Sequence, residues 1–498
     1  MTHDHEFPLP RRKRLSTPAI GRGLGLLLLL GLLSLPTPDG LSPEAWKTAA
    51  ITALMATWWI TEAIPIYGTA LLPIVLFPLL GVRGITEATA PYANPIIFLF
   101  LGGFLLAVAI QRWNLHRRIA LWIVRFTGVG PNSIVLGILL AAGFLSMWVS
   151  NTATAILMLP IALSLLEFVA SEPPERRRNF ERVLLLGIAY ACNLGGIGTL
   201  IGTPPNALLA GFMQESYGYE ISFFQWMTVG IPFVAVTLPL MYLALTRVLY
   251  PIRIRELPGG RDYLQRELDR LGPLSPQEKR VAALFVLTAL AWILRPAVVP
   301  VLPLLSDAGI AIASGVLLFL VPSGNPDHPQ ILSWEDTARV PWGVLLLFGG
   351  GLSMAGSINE TGLADALGDS LAALGALPTA LLLLAVVTLM VFLTEVTSNT
   401  ASTAAFLPIL ASLAIGIGEN PLLLAAPAAL AASCAFMLPV ATPPNAIVYG
   451  AGRIRIPDMT RAGLLLHALF LGLLVLTGLT LIPWAFDIQL RQLPPWLP

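Results

Sequence analysis

The strongest constraint on this chain is a polar triplet set twice into apolar sequence. Ser150-Asn151-Thr152 interrupts "FLSMWVSNTATAILMLPIALSLL", and 248 positions later Ser398-Asn399-Thr400 interrupts "VFLTEVTSNTASTAAFLPILASL". The apolar stretches around them, 131–170 and 378–416, each run to about 40 residues. A helix needs about 20 apolar residues to cross a bilayer core. Each stretch is therefore long enough for two full crossings, with the triplet as a surface turn, or for a re-entrant hairpin with the triplet at its tip. Irregular backbone at membrane depth persists only when it is buried in protein or lines a watery cavity.

Flanking charge gives the two stretches opposite orientations. Arg112, Arg117, Arg118 and Arg125 precede the first, and Arg176, Arg177, Arg178 and Arg182 follow it. The second lies within 340–452, where there is no Lys or Arg. Positive charge is retained in the cytoplasm, so the first stretch is expected to enter from inside and the second from outside.

Composition sets the medium. Of 498 residues, 56% are hydrophobic and 11% charged, against about 25% charged in a soluble domain. The net charge of +1 gives no global argument for nucleic acid. Cys192 and Cys434 both lie in apolar sequence and read as small core residues, with no metal-ligand spacing. Arg11-Arg12-Lys13-Arg14 precedes an apolar run from Ala19 to Leu35, and "PTPDGLSPEAW" offers no small-x-small cleavage site. An uncleaved first helix with a cytoplasmic N-terminus is expected.

The chain reads as an all-α polytopic membrane protein. Spans are expected at 19–35, 45–65, 67–82, 94–111, 183–210, 225–249, 281–295, 303–321, 341–358, 421–450 and 463–485. That gives eleven transmembrane helices plus two re-entrant hairpins, with the C-terminus outside. Residues 1–44 form the N-terminus and first helix, and 45–250 a first repeat with its hairpin at 131–170. Residues 251–280 form a cytoplasmic linker with room for a short amphipathic helix, and 281–498 a second repeat with its hairpin at 378–416. The repeat extends past the triplets: "FLGG" at 100–103 answers "FGGG" at 348–351, and "GTPPNALLAG" at 202–211 answers "ATPPNAIVYG" at 441–450. Two inverted-topology halves are a hallmark of secondary transporters, whose sites lie at the repeat interface near the midplane.

The motifs carry matching chemistry. Ser, Asn and Thr are good N-caps, and a helix start presents free N–H groups and a positive dipole end to an anion. In each Thr-Pro-Pro-Asn motif two prolines remove two donors and push the preceding residues out of the α region. A helix through 183–210 must break there, with Thr203 capping the restart and carbonyls near Gly202 exposed. The second copy at 441–445 should behave likewise, although "CAFMLPVATPPN" lacks the glycines of "GGIGTLIGTPPN". None of the four motifs contains Arg, Lys or His. An anion held by neutral dipoles alone would be weakly bound, so mobile counter-charges are expected. Na⁺ fits, being a hard cation suited to hydroxyl, amide and carbonyl oxygens, and it leaves with the substrate. A fixed arginine would remain as an uncompensated buried charge.

"MWVSNTATAILMLPI", "TEVTSNTASTAAFLPI", the paired Thr-Pro-Pro-Asn motifs and "WWITEAIPI" at 58–66 resemble the divalent anion/sodium symporter family, which includes di- and tricarboxylate and sulfate carriers. The likeness covers nearly the whole chain. It implies a homodimer in the bacterial inner membrane, a scaffold and a mobile transport domain in each protomer, and elevator-type alternating access with Na⁺ and a dianion carried together. Carried over by motif, a first Na⁺ site would use Ser146, Ser150, Asn151 and Gly202, and a second Thr394, Thr397, Asn399 and Ala441. Substrate carboxylates would meet Asn151, Thr152, Thr203, Asn399, Thr400, Thr442 and Pro443. The expected cargo is a C4-dicarboxylate such as succinate, fumarate or malate. A sodium-independent exchanger and a sulfate or citrate carrier of the same fold stay open.

Other signals are weaker. Glu395, four residues before Asn399, has Met147 as its repeat counterpart; it reads as a structural hydrogen-bonded acid, with a second-shell cation partner or a proton-coupling group as alternatives. Glu62 reads as a helix-end cap, His467 as a satisfied polar residue, and Trp58, Trp59 and the other tryptophans as interface anchors. An enzyme would need an intramembrane Ser/His/Asp or His/Glu cluster, and the sequence offers none. A channel suits opposed hairpins and broken helices less well than alternating access.

Overall fold

The structure, a computed structural model, describes residues 17–497 apart from positions 129, 171, 255, 256 and 258 and the Arg261 side chain. The basic run at 11–14 lies outside the described residues. Helices dominate, and the one two-stranded sheet among the described residues is a short antiparallel pairing of Pro322–Asn325 with His328–Gln330. Local chemistry sets many helix starts. Ser42, Asn94, Ser222, Ser275 and Ser306 each accept a backbone N–H of their own first turn, satisfying donors that have no partner inside the helix.

Seven helices among the described residues are long and apolar enough to cross a membrane, with six shorter apolar ones beside them. The expected span 67–82 is two short pieces, Ile66–Thr69 and Leu72–Leu79. The spans expected at 183–210 and 421–450 are both interrupted, as the proline pairs require. The linker holds an amphipathic helix, Gly260–Leu271, and it is tied to the first half. Arg118 Nε meets Glu278 Oε1 at 2.7 Å, both side chains buried, while the same guanidinium donates to the Gly272 and Leu271 carbonyls.

Helix boundaries recur at the 248-residue offset of the duplicated motifs. Pro131–Ser146 is answered by Thr379–Thr394, and Asn151 and Asn399 each open the helix that follows. Each half also contains a short helix absent from the expected spans, Leu115–Thr127 and Leu363–Leu371. They are entered through left-handed residues 248 apart, Asn114 (φ 56°) and Gly362 (φ 79°). Gly102 and Gly350 explain the duplicated glycine motif. A Cβ on the first would lie 2.4 Å from the Ala311 carbonyl, and one on the second 2.2 Å from the Ala70 carbonyl. Only glycine lets backbone approach so closely, as in membrane helix packing generally.

The expectation for the tryptophans is corrected. Trp59, Trp226 and Trp292 are fully buried rather than anchored at an interface; Trp59 Nε1 donates to the Ile66 carbonyl and Trp226 Nε1 to the Ile197 carbonyl, so their polar ends are met inside the protein. Glu62 does end its helix, in a left-handed conformation at φ 46°. Both cysteines are free and buried.

Candidate functional site

Each Ser-Asn-Thr triplet starts a helix. Ser150 Oγ accepts the Ala153 N–H at 3.3 Å at the head of Asn151–Glu167, and Ser398 Oγ accepts the Ala401 N–H at 3.4 Å at the head of Asn399–Gly416. The Thr-Pro-Pro-Asn motifs restart broken helices: Pro174–Gly196 resumes as Pro204–Tyr217, and Leu422–Ala432 as Pro443–Gly450. Thr203 and Thr442 hold the cap positions with extended backbone, as residues before proline must. Only Thr442 caps with its side chain, accepting the Asn445 N–H at 3.4 Å; the Thr203 hydroxyl makes no cap bond. The packing then crosses the halves. The helix after the first triplet lies against Pro443–Gly450, and the helix after the second against Pro204–Tyr217.

Around the first triplet Ser146, Asn151 and the Gly202 carbonyl lie close together. Buried Ser146 Oγ lies 2.5 Å from Asn151 Oδ1 and 2.8 Å from the Cys192 carbonyl. A Cβ added to Gly196 would stand 2.8 Å from Asn151 Oδ1 and 3.0 Å from the Gly202 carbonyl oxygen. The oxygens of Asn151 and Gly202 therefore crowd one point, left open because Gly196 has no side chain, and Ser146 reaches it through Asn151. Ser150 is exposed, its hydroxyl used in capping, and Thr152 follows half-buried on the same helix.

The second triplet has the same residues in a different hydrogen-bonding state. Thr394 Oγ1 turns back onto the Val391 carbonyl at 3.1 Å, and Thr397 Oγ1 meets the Leu393 carbonyl at 2.8 Å and Ser402 Oγ at 2.5 Å. Asn399 Oδ1 is buried with no hydrogen-bond partner among the described residues. Thr400 is half-buried beside it; in the facing break Ala441 and Thr442 are buried and Pro443 is exposed. Glu395 joins this tip to that break. Its Oε1 accepts the Phe436 N–H at 2.6 Å and the Met437 N–H at 2.9 Å, and its Oε2 accepts the Leu438 N–H at 3.0 Å.

Several organising residues were not singled out from sequence. Asn206 Nδ2 donates to the Thr199 carbonyl at 2.8 Å and lies within 3.3 Å of those of Gly196 and Ile197, while Asn445 Nδ2 reaches Leu438 at 3.0 Å and Ala435 at 3.3 Å. These asparagines end the two quoted motifs, and their duplication was the available signal. Asn193 Nδ2 crosses between halves to the Ala435 carbonyl at 3.0 Å and Thr442 Oγ1 at 3.1 Å, and Tyr190 donates to the Phe436 carbonyl at 2.7 Å. A lone asparagine in the apolar run "ACNLGG" was the clue there. Two readings of His467 are corrected. Its Nε2 lies 3.1 Å from both Glu395 Oε1 and the Cys434 carbonyl, so a His–Glu pair does form inside the protein, and its buried Nδ1 has no partner among the described residues, so it is only half satisfied.

The site can therefore offer neutral hydroxyl, amide and carbonyl oxygens at two clusters, and helix starts beside them. Such oxygens suit hard cations, and such helix starts suit anions. Comparison with known proteins agrees with a transporter architecture. The chain is 44% identical over 482 residues to the sodium-dependent dicarboxylate transporter SdcS of Staphylococcus saprophyticus, covering 95% of this chain and 93% of that protein. It is 45% identical over 483 residues to SdcS of Staphylococcus aureus strain USA300, with the same coverage. Two solved structures share the fold at low identity. The YdaH transporter of Alcanivorax borkumensis has a TM-score of 0.55 at 16% identity, covering 81% of this chain and 88% of that one. MtrF of Neisseria gonorrhoeae has a TM-score of 0.55 at 13% identity, covering 96% of each. A model of the family described as the sodium:sulfate symporter transmembrane region matches residues 19–486, and the chain belongs to that family.

Proposed function

We propose that this protein is a sodium-coupled importer of C4-dicarboxylates working by elevator-type alternating access. The observation that carries the reading is the paired tip and break: two capped triplets, each followed by a helix that packs on the other half's restarted helix. The names of the relatives support the cargo, and the absence of Arg, Lys and His from the four motifs supports cations as the partners of the dianion.

In this reading one Na⁺ is held by Ser146, Ser150, Asn151 and the Gly202 carbonyl, and a second by Thr394, Thr397, Asn399 and the Ala441 carbonyl. The carboxylates meet Asn151, Thr152, Thr203, Asn399, Thr400, Thr442 and Pro443, with helix-start N–H groups facing the negative charge. Cation and anion neutralise one another in a low-dielectric site where either alone would bind poorly. Movement across the membrane then carries a compensated load. Eleven crossings and two re-entrant hairpins, inverted in the two halves, give the fold this reading needs; helices of 16 and 17 residues flanking the first triplet fall short of a full crossing, which supports its hairpin. The working unit is a homodimer.

Uptake of labelled succinate into proteoliposomes tests the function. Accumulation in empty vesicles driven by an inward Na⁺ gradient is expected. Uptake that ignores Na⁺ but needs internal dicarboxylate would make the protein an exchanger, and uptake of sulfate or citrate alone would replace the substrate. Topology has its own test. A cysteine at position 175 should be labelled only from the cytoplasmic face and one at 418 only from outside; labelling of both from one face would end the inverted arrangement.

A further inference from the structure

The two breaks share a motif but not their surroundings. Asn193, in the first half, reaches into the second break. Its Nδ2 lies 3.0 Å from the Ala435 carbonyl, 3.1 Å from Thr442 Oγ1 and 3.4 Å from Asn445 Oδ1. A carbonyl only accepts, so the Ala435 contact fixes which end of the Asn193 amide is nitrogen. The backbone of this break has other supports. Tyr190, one turn earlier on the same face, donates to the Phe436 carbonyl at 2.7 Å. Glu395 accepts the N–H groups of Phe436, Met437 and Leu438, and Asn445 Nδ2 reaches the Ala435 and Leu438 carbonyls. What Asn193 adds is a second donor to the Thr442 hydroxyl. Its own Oδ1 is buried with no partner among the described residues, a cost that an apolar residue would avoid.

Thr442 Oγ1 thus takes two donors, Asn193 Nδ2–H at 3.1 Å and the Asn445 N–H at 3.4 Å. A hydroxyl has two acceptor positions and one hydrogen. Both acceptor positions are filled, so the hydroxyl is left to donate to whatever enters the break. The first break is built otherwise. The Thr203 hydroxyl makes no cap bond, and the position of Asn193, at the 239-residue offset of the two motifs, is held in the second half by buried Ala432.

We infer that Asn193 is a positioning residue for substrate binding, presetting the Thr442 hydroxyl as a donor to one carboxylate of the dianion while the Thr203 hydroxyl is left to rotate. The inference rests on the dicarboxylate reading above, in which Thr442 meets the substrate. Asn193 touches Thr442 and acts through it. A hydroxyl already committed as a donor gives up no rotational freedom when the anion arrives, and it cannot turn its lone pairs toward the negative charge. Hydrogen bonds to an ionised acceptor are the strong ones, so the gain falls on substrate affinity.

The test is a double-mutant cycle on succinate uptake at saturating Na⁺. It pairs Asn193→Leu, which keeps the side-chain volume and removes the donor, with Thr442→Ala. Asn193→Leu is expected to raise the succinate KM about fivefold, as the weakening of one hydrogen bond does, with the maximal rate within about twofold of wild type. In the Thr442→Ala background the same change should move KM less than about twofold, because the hydroxyl it acts on is gone. Equal factors in the two backgrounds, or a fall in maximal rate with KM unchanged, would make Asn193 a structural residue and overturn the inference. Should a member of the cycle not transport, the succinate concentration giving half the maximal rise in melting temperature of the purified full-length protein in NaCl is read instead, with the same factors expected and the same result overturning. Should Asn193→Leu not fold, Asn193→Ala takes its place in the cycle. Wild-type protein that neither takes up succinate nor is stabilised by it would remove the dicarboxylate reading itself, and the inference with it.

Discussion

The two tips place matching hydroxyl and amide residues at the same spacing and leave them in different states. At the first, Ser146 Oγ points its one hydrogen between Asn151 Oδ1 and the Cys192 carbonyl, so the amide oxygen has a donor within reach. At the second, Thr394 turns away onto its own helix and Asn399 keeps a buried acceptor with no donor. A buried orphan acceptor costs on the order of 1–3 kcal/mol, so it marks where binding gains most. Repeated sequence yields repeated backbone; hydrogen-bonding state depends on neighbours, and the neighbours differ.

The largest test of that contrast is removal of the asparagines. Asn399→Ala and Asn151→Ala should each reduce Na⁺-driven uptake to background while leaving expression and oligomeric state unchanged, as read by transport assay and size-exclusion chromatography. Normal uptake in either variant would remove that tip from the site. Gly196→Ala comes next. The added methyl would press on Asn151 Oδ1 and the Gly202 carbonyl, so uptake should fall about tenfold, although the repeat counterpart is already Ala435. Full activity would show that the first cluster has more room than its geometry allows. The smallest effects separate the hydroxyls. Ser146→Ala should raise the half-maximal Na⁺ concentration roughly fivefold, the worth of one hydrogen bond of about 1 kcal/mol. Thr394→Ala should change it less than twofold, because that hydroxyl is already committed to Val391. Equal shifts would mean that Thr394 swings round when the ion arrives, and the contrast between tips would dissolve.

Much of this was legible in the sequence because proline, glycine and capping residues act locally. The breaks at Pro204 and Pro443, the caps at Ser150 and Ser398, and the linker helix follow from rules spanning three or four residues. The Leu115–Thr127 and Leu363–Leu371 helices were not legible as spans. They are short and amphipathic, and a search for apolar runs passes over them. The buried tryptophans were misplaced because an indole suits an interface and a core alike. The cradle of Glu395 and the reach of Asn193 were out of range for another reason. Each joins residues far apart in the chain, Glu395 to Phe436 and Asn193 to Thr442, and no local pattern specifies which distant backbone a side chain will meet.

The crossed packing of the halves has a consequence for how the protein is made. Asn151–Glu167 lies against Pro443–Gly450, a segment synthesised nearly three hundred residues later. Until that segment emerges, the helix after the first triplet lacks this partner. Contacts of such long sequence separation form late and slowly. Assembly of this packing is therefore a closing event, complete only when the last quarter of the chain docks back onto the first half.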